Sequence, residues 1–481
     1  MELRNRLTRT TGFVFASGTV SKLFAFIFVA YAARVLGPEE FGLYALIGTF
    51  TFFFSFFGDF GINAVAIREM SRNRAKIDEV FNSVLSLKVG LVVLAYPFLF
   101  AAVNILGYGE NIKYLIYIAG LTAIFSVFSS SFGIIYMALE RFKVPALISA
   151  FVSLLHNFAN IIVLYLGYGV KGIVWVSFFG ALTGAVISGL WIRKKIFRYR
   201  FVYNLSAFKD IVAQSMPFAA IAFFQQANIY MNILLLSKLP GPVQGKIAIG
   251  YYNPPASLCR NAMMLPDSFR KAALPTVAAN SGNVKVIESI IEKSTKSFLA
   301  LIIFPLILAT TFFPKEIISI IFGKAYLPSA SALTILGWAY ALQVFNVPVT
   351  VTLIASREIR LLIPWAALVF SVNLVFAVPL IIYYSYMGAA AAFLVSKIFE
   401  TFIRHYLLQV VWGINSMEIQ KSLYNILGLI TATLVIISIA KYFTATALVL
   451  LILTLSLYFS CMIFSKDFRQ GISVLFHGMR G

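Results

Sequence analysis

Four basic side chains fall inside stretches otherwise apolar enough to cross a membrane: Lys22, Lys88, Arg260 and Lys397. Three acids accompany them, Asp59, Asp267 and Glu400. An ionised group near a bilayer midplane costs about 3 kcal/mol on insertion scales, so such residues face one another or a watery cavity. The chemistry they offer is the holding of an anion. Guanidinium grips a phosphate through two parallel hydrogen bonds, whereas an ammonium acts as a point charge.

Depth separates the candidates. Lys22 lies about ten residues into its helix and Arg260 about thirteen into its own from the other side, which puts both near the midplane at a rise of 1.5 Å per residue. The positions three and four away are Gly18, Thr19, Ala25 and Phe26 for Lys22, and Ala256, Ser257, Met263 and Met264 for Arg260. Neither set contains an acid, so each cation takes a partner from elsewhere, either a bound anion or an acid on another helix, such as Asp59 for Lys22. Lys397 has Glu400 at i+3 and Arg404 at i+7, a local charge ladder that can satisfy it without a ligand. Lys88 is read as lying about six residues inside its helix, shallow enough to snorkel to the inner surface. Asp59 and Asp267 fall near inner helix ends beside arginines, as gates or structural pairs. Gln225, Asn228 and Asn232 share a helix face at i, i+3 and i+7, and His156 with Asn160 forms an i, i+4 pair. Amides so placed either bind sugar hydroxyls or join transmembrane helices to one another. The candidate substrate-binding set is therefore Arg260, Lys22, Lys88, Lys397, Gln225, Asn228 and Asn232, with Asp59, Asp267 and Glu400 as gate or ion-pair residues.

No catalytic or metal-binding pattern accompanies them. There is no GxxxxGK[ST] loop, CxxC or HExxH, and the three histidines are scattered. Cys259 and Cys461 both lie in apolar segments, so no disulfide framework is implied. The expectation is a non-enzyme without metal or cofactor.

The elements that must carry these residues are membrane-spanning helices. The chain has 481 residues, 60% of them hydrophobic and 12% charged, with a mean hydropathy of +0.89. Soluble domains carry about 25% charged residues. Fourteen candidate spans emerge, at 12–33, 41–66, 82–106, 113–138, 145–168, 170–192, 210–236, 247–268, 294–313, 329–355, 361–384, 387–403, 422–440 and 443–464. The net charge of +21 does not indicate nucleic acid, because the basic residues punctuate apolar runs rather than clustering on a polar module. Of the 39 lysines and arginines, 27 fall in the loops and tails on one side of this topology and 8 on the other. The positive-inside rule makes the richer side cytoplasmic, with both termini there. The apolar run after the basic N-terminus is too long for a signal peptide, and it lacks a cleavage site.

A basic loop, "RKKIFRYRFVYNLSAFKD", divides the chain after six spans. Each half opens with a long helix, a Gly-Pro turn ("VLGPEEFG" and "LPGPVQGK") and a second helix ending near an acid, Asp59 or Asp267. Parallel repeats about an axis along the membrane normal are a common transporter design. The expected organisation is an N-lobe at 1–192, a basic cytoplasmic linker at 193–209, a C-lobe at 210–411, and two extra helices with a tail at 412–481. Prolines at 217, 255, 266, 305, 348, 364 and 379 permit kinks. No outer loop reaches 20 residues, which argues against a glycan polymerase or ligase with an external catalytic loop.

"SKLFAFIFVAYAARVLGPEEFGLYALIGTF" and "DFGINAVAIREMSR" resemble the opening two helices of the polysaccharide-transport family. These are the Wzx-type oligosaccharide flippases of the multidrug/oligosaccharidyl-lipid/polysaccharide superfamily. "YYNPPASLCRNAMMLPDSFRKAALPTVAAN" resembles their eighth helix and its exit. The resemblance implies an all-α fold of about fourteen helices, two six-helix lobes around a central cavity and two peripheral helices. It implies carriage of a polyprenyl- or dolichyl-pyrophosphate-linked oligosaccharide from inner to outer leaflet of the cell membrane by alternating access. Lys22 and Arg260 fall where related lipid II flippases carry cavity arginines. The implied partners are that substrate, membrane lipids and glycan polymerase or ligase machinery. The energy source is open among sodium or proton gradients and the membrane potential. Two other readings are a multidrug or small-solute antiporter of the same fold, and a structural scaffold for glycan assembly in which the midplane cations are dispensable.

Overall fold

The computed structural model describes residues 2–72, 76–139, 143–195, 199–202, 204–280, 282–355 and 359–414. The spans expected at 422–440 and 443–464 lie outside the described residues. Every regular element among the described residues is helical, and there is no strand. Among the described residues, nine stretches are long and apolar enough to cross a membrane.

Contacts divide the chain into two compact units, Met1–Gly250 and Tyr251–Gly481. The first holds α1 (Glu2–Asp59), α2 (Ile62–Arg72), α3 (Ile77–Ile105), α4 (Glu110–Ala138), α5 (Lys143–Tyr165), α6 (Gly169–Lys195), α7 (Leu205–Leu236) and the opening of α8 (Pro242–Asn261). The second holds the rest of α8, α9 (Met264–Ala279), α10 (Val284–Phe298), α11 (Phe304–Phe312), α12 (Pro314–Ile321), α13 (Ser329–Phe345), α14 (Val347–Ala355) and α15 (Leu362–Trp412).

Two elements are too long to be single crossings. The Ser21–Arg72 and Leu362–Trp412 stretches run 52 and 51 residues, against the roughly 20 that one bilayer core requires. Each is broken in the middle. In α1 the backbone turns at Gly37, with φ of 70°, and Pro38 starts the next helix. Proline serves there because its fixed φ suits a first helical turn and its missing N–H has no partner to lose. In α15 the break falls at Ser385, with φ of 51°. Counting two crossings in each long helix, and α8 with α9 as one broken crossing, places spans 1 to 12 of the sequence on helices.

Span 8 was expected as a continuous helix over 247–268. Instead, α8 stops at Asn261 and α9 begins at Met264, with Ala262 and Met263 forming a turn closed by Met263 N donating to the Arg260 carbonyl at 3.0 Å. The apolar window of span 12 closes at 403, and its helix runs on through the following segment to Trp412. Between α10 and α11 the helix widens into a π-turn, Leu299–Ile303, just ahead of Pro305. Proline cannot donate to the ladder, and the local register shift accommodates it.

Both units are cored by apolar side chains at helical spacing. In the first, Ile62, Phe81, Phe132 and Tyr136 are sealed between α2, α3 and α4. In the second, Tyr326, Leu336, Tyr340 and Phe393 fill the space around α13 and the second half of α15. Exposed Phe98, Phe151, Leu155, Val375 and Phe402 lie on outward faces, as they must where the solvent is hydrocarbon.

Candidate functional site

Lys88 is 1% exposed, so it does not snorkel. Because α3 begins at Ile77, Lys88 lies about three turns inside it, deeper than the sequence boundary allowed. Its Nζ donates to Asp59 Oδ1 at 2.7 Å and to Asn63 Oδ1 at 2.6 Å. The short turn between α1 and α2 brings these acceptors together. Phe60 and Gly61 take φ of 43° and 71°, so the chain folds back between the last residue of α1 and the first turn of α2. The run Asp59-Phe60-Gly61-Ile62-Asn63 therefore builds a socket for a buried ammonium. The alternative in which Asp59 serves Lys22 is not what the structure adopts. Lys22 is exposed on α1.

The two Gly-Pro turns meet at the end of this unit predicted to face outward. Lys246 Nζ donates to Glu39 Oε1 at 2.7 Å, joining the start of α8 to the start of the second half of α1. The backbones close in beside this pair. A Cβ on Gly42 would stand 1.9 Å from the Lys246 carbonyl oxygen, and one on Gly250 would stand 1.9 Å from that of Pro38. No residue but glycine fits at either position without moving a helix. Further along, Phe52 stacks on Tyr230 with centroids 4.3 Å apart, and at the opposite end Arg68 donates to Gln214.

In the second unit Glu400 is the hub. It accepts from Lys397 Nζ at 2.7 Å through one oxygen and from Arg404 Nε at 2.9 Å through the other. Arg404, one residue past the span bounded at 403, is part of the helix and also donates to Thr350 Oγ1 on α14. Asn346 Nδ2 donates to Thr401 Oγ1 at 2.8 Å alongside. All three charged groups are largely sealed, with side-chain exposures of 6%, 11% and 16% for Lys397, Glu400 and Arg404. Arg260 sits in the last turn of α8, half-buried and engaged by a neighbouring group. Asp267, in the first turn of α9, is 3.2 Å from Arg270.

Of the amides, Gln225 is half-buried, while Asn228 and Asn232 are 2% and 0% exposed and engaged within the protein. His156 Nε2 lies 2.9 Å from Asn160 Nδ2. Sequence reasoning missed Asn63, Glu39, Lys246, Asn346 and Thr350. Only Glu39 and Lys246 carried a signal, since each follows one of the two echoed Gly-Pro turns.

Two long broken helices, a broken α8–α9 crossing and deep charges in each unit define a polytopic membrane protein. The family model described as "Polysaccharide biosynthesis protein" matches residues 7–281, and the chain belongs to that family. Over 412 residues it is 22% identical to the capsular polysaccharide biosynthesis protein CapF of Staphylococcus aureus, covering 83% of this chain and 98% of that one. Among solved structures it is similar to the lipid II flippase MurJ in an inward closed conformation, with a TM-score of 0.69, 18% identity, and coverage of 92% of this chain and 98% of that one. An inward-facing multidrug resistance MATE transporter of the MOP superfamily matches with a TM-score of 0.63 and 13% identity, over 82% and 94% of the two chains. A MOP superfamily transporter from Pyrococcus furiosus matches with a TM-score of 0.57 and 15% identity, over 85% and 96%.

Proposed function

We propose that this protein is a flippase that carries a polyprenyl- or dolichyl-pyrophosphate-linked oligosaccharide from the inner to the outer leaflet by alternating access. The family description and the fold shared with a lipid II flippase support the class. The observation that carries the substrate chemistry is the disposition of the deep carboxylates. Asp59 is held by Lys88, Glu400 by Lys397 and Arg404, and Asp267 by Arg270. A carrier of cationic drugs needs an acid to offer its cargo, and each of these three already serves a cation of its own unit. Lys22, by contrast, is an exposed ammonium within a spanning helix, where charge is costly unless water or an anion attends it. It and Arg260 are the groups offered to the pyrophosphate, and the Lys397–Glu400–Arg404 network, with two cations to one carboxylate, adds a net positive charge to the second unit.

The cargo's lipid tail stays in hydrocarbon while the charged head crosses, so the protein supplies cations only along the path of the head. Release on the outer side requires the junction of the two Gly-Pro turns to open, which makes the Glu39–Lys246 pair a latch of the outward gate. Both termini are cytoplasmic in this reading, and a glycan polymerase or ligase consumes the exported unit. The test is a proteoliposome assay of outer-leaflet appearance of a fluorescent pyrophosphate-linked oligosaccharide. Protein-dependent translocation is the expected result. Gradient-driven export of cationic dyes without glycolipid movement overturns the assignment in favour of the antiporter.

A further inference from the structure

The linker between the two halves is strapped onto the first unit. Residues 199–202 run extended along α3, where the Arg200 and Val202 backbone N–H groups donate to Asn82 Oδ1 at 2.9 Å and Ser86 Oγ at 2.8 Å. Asn82 and Ser86 lie one turn apart, which matches the two-residue repeat of an extended strap. Tyr199 packs on Phe132 with centroids 5.3 Å apart. Beneath the strap, α3, α4 and α6 bound a groove of about 400 Å³, which Tyr199 and Phe201 close at one end.

The walls of this groove accept hydrocarbon and little else. Val93, Val186 and Leu190 line it and are 61%, 50% and 61% exposed. Its two polar wall residues within the helices are already spent, since Lys88 Nζ is bound to Asp59 and Asn63 and Ser131 Oγ donates to the Val127 carbonyl at 2.9 Å. A glycan has little to bond to here beyond the Tyr199 hydroxyl at one end. The rim beside the strap is basic. Arg193 and Lys194 follow Gly189 and Leu190 by one turn on α6, and both are exposed, as is Arg200 between the two aromatic residues of the strap. The carboxylates on this side of α3, Asp78 and Glu79, lie in its first turn, where the helix dipole favours them.

We propose that this groove is a binding site for an anionic phospholipid of the cytoplasmic leaflet. One acyl chain fills the groove between α3, α4 and α6, and the phosphate meets Arg193, Lys194 and Arg200. Aromatic and basic residues gathered at one level mark the membrane interface, and positive charge assigns that level to the cytoplasmic side. The site is separate from Lys22, and the inference does not depend on what the protein transports. Its occupant would hold the strap, and with it the link between the two halves of the chain, to the membrane surface.

The experiment is lipid retention by native mass spectrometry of the full-length protein extracted from vesicles of equimolar phosphatidylglycerol and phosphatidylcholine. Wild type retains phosphatidylglycerol selectively. Each of Arg193→Gln, Lys194→Gln and Arg200→Gln weakens that retention by about fivefold, the factor for one cation at an anionic surface. The pair Val186→Phe and Leu190→Trp abolishes retention at unchanged net charge, while Lys209→Gln on α7 leaves it intact. Should any variant fail to fold, chain-brominated phosphatidylglycerol added to the otherwise wild-type protein quenches Trp191, read against Trp191→Phe, more than the brominated choline lipid does. Equal retention or equal quenching by the two lipids overturns the proposal, because only annular contact remains. Retention of the pyrophosphate-linked glycolipid in preference to phosphatidylglycerol also overturns it, since the groove then belongs to the transport path.

Discussion

The buried charge sites of the two units solve the same problem in opposite ways. In the second unit Lys397, Glu400 and Arg404 lie within two turns of one helix, and both cations pair with Glu400, at i+3 and i+4 spacing. In the first unit Lys88 reaches back across 29 and 25 positions to Asp59 and Asn63. The local site can form as soon as its helix does. The long-range site forms only when α1, α2 and α3 have come together, so it ties the packing of three elements to the burial of one ammonium. The two also differ in charge, because one carboxylate answers two cations in the second unit and one cation in the first.

That difference can be broken deliberately. Glu400→Ala is expected to be the most damaging change, since it leaves two sealed cations uncompensated. Loss of a partner in a buried pair costs about 3–5 kcal/mol. Asp59→Ala should cost less, toward the lower end of that range, because Asn63 still accepts from Lys88 and Asp59 itself is 36% exposed. Fluorescence-detected thermal stability of the two variants in one detergent reads the order. Equal losses would mean that the second cation at Glu400 carries no weight.

Next in size is the glycine junction. Gly250→Ala or Gly42→Ala drives a methyl into a backbone carbonyl and is expected to cost about 1–3 kcal/mol, the usual penalty for overpacking. The effect should appear as raised cysteine accessibility of the predicted outer ends of α1 and α8, without change in the Lys88 socket. Replacing the whole ladder by Lys397→Met, Glu400→Leu and Arg404→Leu sharpens the comparison from the other side. Exchanging a buried ion network for apolar groups is often neutral or stabilising by about 1–4 kcal/mol, so the fold should persist. If translocation survives as well, the ladder is structural only. The smallest effect belongs to the latch. Glu39→Gln removes a pair whose carboxylate is 45% exposed, and such pairs contribute about 0.2–1 kcal/mol. It should leave stability nearly unchanged yet alter the balance between outward-open and outward-closed states.

The comparison also explains what could be read from the sequence. Twelve spans, the Gly-Pro turns and the Lys397–Glu400 spacing are written in periodicities of less than one helix, and they were legible. The depth of Lys88 was not, because its helix starts before the apolar window does, at the polar first turn of Asp78 and Glu79. Nor was its pairing with Asp59, which depends on a backbone reversal at Phe60 and Gly61 that leaves no periodic trace. The stop of α8 after Arg260 escaped for a related reason. "RNAMMLPD" keeps its apolar run through Met263 and Met264, so hydropathy does not register that the helical ladder is interrupted there. Arg404 fell one residue beyond the apolar window that closes at 403, although its i+4 relation to Glu400 keeps it in the helix.

The central claim is that exposed and half-buried cations at membrane depth receive a pyrophosphate. The most direct measurement is translocation of a pyrophosphate-linked oligosaccharide in proteoliposomes by Lys22→Ala, Arg260→Ala and Arg260→Glu, each verified as monodisperse by size exclusion. Strong loss with either alanine variant, and complete loss with glutamate, is the predicted result. Full-rate translocation by all three variants would contradict it and make both residues structural.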